Sequence, residues 1–73
     1  MNKTSTHHSM GFQQLAVQYF PYITPASASV RLKQWIMTTP ELLERLITAN
    51  YRPGARLLTP RQVDLITTEF GEP

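Results

Sequence analysis

The sequence predicts an all-α fold, a compact bundle of about four short helices, and three observations carry that prediction. Three Thr-Pro dipeptides, Thr24-Pro25, Thr39-Pro40 and Thr59-Pro60, each stand before a stretch with helical spacing. A Thr hydroxyl accepts from an unpaired N–H of the first turn, and Pro at the first helical position gives up only an N–H without an intrahelical partner. Between these points the apolar residues recur at i, i+3 and i+4 rather than alternating. With 73 residues and no cysteine the chain makes one domain without a disulfide framework. A domain of this size buries only about 60% of the surface its unfolded chain exposes.

Residues 1–10 read as a flexible polar N-terminal tail, at most a short edge strand, and residues 11–73 as a single helical domain. The tail lacks the apolar run of a signal peptide, and nothing elsewhere approaches the roughly 20 apolar residues of a membrane span. A cytoplasmic protein without membrane attachment is therefore expected. From Phe12, the apolar positions Phe12, Leu15, Ala16, Tyr19 and Phe20 fall on one helical face until Pro21 stops the helix. Tyr22 and Ile23 in the connection suggest a loop folded against the core.

The second helix should run from Pro25 to about Met37, burying Ala28, Leu32, Trp35 and Ile36, with Ser27, Val30, Lys33 and Gln34 outward and Arg31 at the border. The third, from Pro40 to about Ala49, should bury Leu42, Leu43, Leu46 and Ile47, and Asn50 should end it in the left-handed conformation. Pro53 and Gly54 occupy the central positions of a type II turn over Arg52–Ala55. Leu57 and Leu58 lead into a last helix from Pro60 to about Phe70, buried through Val63, Ile66 and Phe70. Thr59 with Gln62 three residues on forms a capping box.

In order and spacing, Leu15-Ala16, Tyr19-Phe20-Pro21, Thr24-Pro25, Leu32, Trp35-Ile36, Tyr51, Thr59-Pro60-Arg61-Gln62-Val63, Ile66 and the ending Gly71-Glu72-Pro73 resemble a family of small Bacteroidales proteins, the domain-of-unknown-function family 4248. The likeness covers residues 12–73. It departs at Gln14, where an acidic residue is expected, and at Asn50, where a Gly is expected. The resemblance implies a bacterial origin and a compact domain, and carries over no functional residue.

The side chains present no catalytic constellation. His7 and His8 are adjacent, a spacing that cannot put both on one face of a regular element, and no Cys completes a metal set. Glu41 and Glu44 stand in the first turns of the third helix, where its dipole favours negative charge. Ser27 and Ser29 have no basic partner implied by sequence, and three glycines make no phosphate loop. The expectation is a non-enzyme without metal, cofactor or small-molecule substrate.

Two functional readings stand. Gln13–Ile36 looks like a helix-turn-helix, whose second helix enters the major groove of duplex DNA. Ser27, Val30, Arg31 and Gln34 would face base edges, with Lys33 on the backbone. Residues 31–61 hold six cations and two anions, a local charge of +4, and Arg52 and Arg56 flank the Pro53-Gly54 turn. Against this, the connection is longer than the usual tight turn and lacks its Gly, and the reading face carries two cations. The alternative is a protein-interaction module or small homo-oligomer without nucleic acid, anchored at Tyr22 and Leu65, since large aromatics anchor interfaces.

Overall fold

The computed structural model describes residues 8–73. Within them the chain forms, in order, a two-residue strand β1 (Met10–Gly11), helices α1 (Phe12–Tyr19), α2 (Pro25–Met37) and α3 (Pro40–Thr48), a second short strand β2 (Leu57–Leu58) and α4 (Pro60–Phe70). The all-α expectation holds, with one addition. β1 and β2 pair antiparallel, Met10 opposite Leu58 and Gly11 opposite Leu57. Met10, which the sequence assigns to the tail, is thus part of the folded unit. The tail up to His7 lies outside the described residues, and His8 and Ser9 are exposed.

Two of the three Thr-Pro starts work as expected. The Thr24 hydroxyl accepts from the Ser27 N–H at 3.2 Å. At α4 the Thr59 hydroxyl accepts from the Gln62 N–H at 3.2 Å while the Gln62 carboxamide oxygen accepts from the Thr59 N–H at 3.0 Å, the complete capping box. Thr39 does something else: its hydroxyl makes no cap and donates to the Trp35 carbonyl at 2.7 Å. Only Thr38 and Thr39 separate α2 from α3, so the last carbonyls of α2 are the nearest unpaired groups and take the hydroxyl.

The C-terminal ends follow the sequence closely. Asn50 has φ +70°, its N–H donates to the Ile47 carbonyl and the Tyr51 N–H to the Leu46 carbonyl. This is a Schellman motif, with Tyr51 turned into the core. Gly54 has φ +89° and the Ala55 N–H donates to the Arg52 carbonyl at 2.9 Å, as a type II turn requires.

The core is Leu15, Ala16, Phe20, Ala28, Leu32, Ile36, Leu42, Leu46, Leu58, Val63 and Ile66, with Phe12 and Tyr51 at its edges. Four burial expectations are corrected, among them Phe70, which is half-buried at the end of α4. Trp35 is 37% exposed, Ile47 54% exposed and Leu43 half-buried. The inward line of α2 is Ala28, Leu32, Ile36, spaced i, i+4, i+8, and Trp35 falls beside it. The short α3 docks through Leu42 and Leu46, with Leu43 packed at the margin, which leaves Ile47 turned to water.

Candidate functional site

The exposed side of α2 follows from what its other side does. Because Ala28, Leu32 and Ile36 dock inward, Ser27, Val30, Arg31, Lys33 and Gln34 all reach solvent. α1 and α2 form the most extensive helix pair of the fold, joined by five residues from Phe20 to Thr24. Phe20 ends α1 and is buried, anchoring that connection. The Arg31 guanidinium lies 5.7 Å from the centre of the Phe20 ring, a cation–π contact worth about 0.5–1 kcal/mol at an exposed site. Arg31 must leave this ring to reach a base.

A groove of about 460 Å³ runs between α2, the start of α1 and the segment after the type II turn. Val30 and Lys33 contribute from α2, Arg56 and Ala55 from the turn, Phe12 from α1 and Tyr51 from the end of α3. Its geometry is fixed by the β1–β2 pair and by the Phe12 N–H, which donates to the Arg56 carbonyl at 2.8 Å. Val30 also borders a shallower depression of about 380 Å³ with Ser27, Arg31 and Gln34. No carboxylate lines either one.

Of the residues singled out for DNA, the structure therefore brings Val30, Lys33 and Arg56 around one groove and Ser27, Arg31 and Gln34 beside it. Arg52 is exposed at the start of the turn and lines neither. The two residues singled out for protein contact are separate. Tyr22, 75% exposed, stands on the α1–α2 connection with its ring edge-on to Phe20. Leu65 is half-buried on α4 and packs against the core.

The sequence reading missed Tyr51 as part of this site. The available signal was its position directly after Asn50: the residue following a left-handed helix end turns back onto the helix it closes. Burial pushes the Tyr51 phenol up from its ordinary pKa, so the hydroxyl stays neutral and available as a donor.

The family model described as a domain of unknown function, DUF4248, matches residues 6–73. The chain belongs to this family. Comparison with curated proteins and with solved structures gives no match. Gln14 and Asn50, where the resemblance implied an acidic residue and a Gly, both have a local structural role in this DUF4248 domain. The Gln14 carboxamide oxygen accepts from the Gly11 N–H at 3.3 Å, as a carboxylate there would, and Asn50 takes the left-handed conformation a Gly would supply. Among the described residues no helix is long and apolar enough to cross a membrane.

Proposed function

We propose that this DUF4248 domain is a small DNA-binding protein of the helix-turn-helix type, regulatory in role and acting in the bacterial cytoplasm. The observation that carries the reading is the convergence of two distant chain segments. Lys33 on α2 and Arg56 after the turn line one groove, beside the exposed Ser27, Val30, Arg31 and Gln34. A single face thus offers cations for phosphates and, on the same helix, side chains suited to base edges. The absence of carboxylates along both grooves keeps that face free of repulsion toward a duplex.

In this reading α2 enters the major groove while Lys33, Arg52 and Arg56 meet phosphates. A few phosphate contacts give non-specific binding at a Kd of about 10⁻⁴–10⁻⁶ M with steep salt dependence. The test is an NMR titration with short duplexes at low salt, in which shifts should concentrate in residues 26–34 and 52–61. Lys33→Glu or Arg52→Glu should weaken binding to every sequence alike, whereas Gln34→Ala should change the preference among sequences. Spectra unchanged at millimolar duplex would remove the reading. Association through the exposed Tyr22 and the half-buried Leu65 would then be the better account.

A further inference from the structure

The groove between α2 and the turn has features that phosphate contact does not call for. Its walls are mostly apolar, built from Phe12, Val30, Tyr51 and Ala55, and its volume of about 460 Å³ lies within the range of small-molecule sites, roughly 300–1,000 Å³. Lys33 and Arg56 supply positive charge and no lining residue is acidic. Tyr51 is only 4% exposed, yet its hydroxyl has no hydrogen-bond partner among the described residues. Tyr51 lines the groove, and a phenol without an internal partner can donate to a ligand that enters it. A duplex backbone would touch the two cations at the rim and leave the apolar floor unused.

We infer that this groove binds a small amphipathic carboxylate, its apolar body lying against Phe12, Val30 and Ala55 and its carboxylate taken by Lys33, Arg56 and the Tyr51 hydroxyl. Arg and Lys are donors only, and a carboxylate has acceptor sites enough for all three groups. The site is preformed, because the strand pair, the Schellman motif and the type II turn fix its walls independently. Binding needs only these residues. Its consequence for DNA rests on the function proposed above: the ligand and a duplex both draw on Lys33 and Arg56, so the carboxylate acts as an effector that releases the duplex.

The experiment is an NMR titration of the full chain with 2-naphthoate and, in parallel, with neutral 2-naphthol. Saturable shifts at Val30, Tyr51 and Ala55 are expected with naphthoate, at a Kd on the order of 1 mM, as fits a ligand of this size. Naphthol should bind about tenfold more weakly. The exposed pair Lys33→Gln and Arg56→Gln should erase that difference, and Tyr51→Phe should weaken naphthoate alone. Equal binding of both probes, shifts centred elsewhere, or none at 10 mM probe would overturn the inference. An inert duplex with saturable naphthoate binding retires the DNA reading and keeps the groove. Duplex binding that naphthoate leaves intact, while occupying the groove, overturns the effector role.

Discussion

Leu32 and Trp35 stand one turn apart on α2, and they meet the rest of the molecule in different ways. Leu32 is fully enclosed within the hydrophobic core. Trp35 lies in an aromatic rim, its ring centre 4.8 Å from those of Phe20 and Phe70 and 5.9 Å from that of Tyr19, with more than a third of its surface in water. Phe20, itself buried, joins the two regions. The difference shows that the i, i+4 line through Ala28, Leu32 and Ile36 aims α2. The large aromatic beside that line covers one end of the core instead of filling it.

The largest expected effect follows directly. Leu32→Ala leaves a closed cavity and should cost about 2–5 kcal/mol, whereas Trp35→Ala opens a rim that water can fill and should cost about 1–3 kcal/mol from lost apolar burial alone. Urea denaturation of the two variants measures the gap. As the chain's one tryptophan, Trp35 should also be quenched by acrylamide in the native state. Equal costs, together with an unquenched tryptophan, would mean that the rim is closed and belongs to the core.

This pair also marks what the sequence could and could not reveal. Helix number, all four helix starts, the helix ends to within one residue, the Asn50 stop and the Pro53-Gly54 turn were legible, because each depends on residues within one turn of one another. Trp35 was misplaced because periodicity assigns a face about 100° wide, and a residue at its margin is decided by which partner helix happens to cover it. The β1–β2 pair was hidden for a different reason. Two residues on each side, Met10-Gly11 and Leu57-Leu58, are too few to show alternation, and Leu57 is 72% exposed while Leu58 is buried. The candidate site was half legible: its cations and the α2 face could be read off. Tyr51 and Phe12 could not be assigned to the same groove without the fold that closes the chain over it.

Gln62 sharpens the contrast between enclosed and open regions, since it is a polar group held inside the closed one at 3% exposure. Besides its capping bonds, its carboxamide nitrogen donates to the Ala49 carbonyl at 2.8 Å, tying the end of α3 to the start of α4. The capping box by itself would accept Glu at this position. The structure predicts otherwise: Gln62→Glu removes the donor and sets a carboxylate against the partly buried Ala49 carbonyl, at a cost of about 1–3 kcal/mol. At the rim, Thr39→Ala exposes a helix-end carbonyl to water and should change stability by about 0.5 kcal/mol. A neutral Gln62→Glu in thermal unfolding would show that the α3–α4 junction is not closed.

The last effect concerns the rim's one ionisable ring. Tyr19 donates its hydroxyl to the Gly71 carbonyl, and its pKa is pushed up from 10.0 to about 12, first by burial and then by the negative charge of Glu72. A phenol whose folded pKa lies above its unfolded value stabilises the fold fully below pH 10, and that contribution fades as the pH climbs from about 10 to about 12. Tyr19→Phe should therefore cost about 1 kcal/mol at neutral pH through the lost hydrogen bond. It should also make the melting temperature fall less steeply than in the parent across that alkaline window. Burial raises the Tyr51 phenol as well, so part of the alkaline loss must remain in the Tyr19→Phe variant. Identical alkaline slopes in variant and parent would show that the Tyr19 hydroxyl is as free in the folded rim as in the unfolded chain, and that the rim does not hold the C-terminal Gly71 in place.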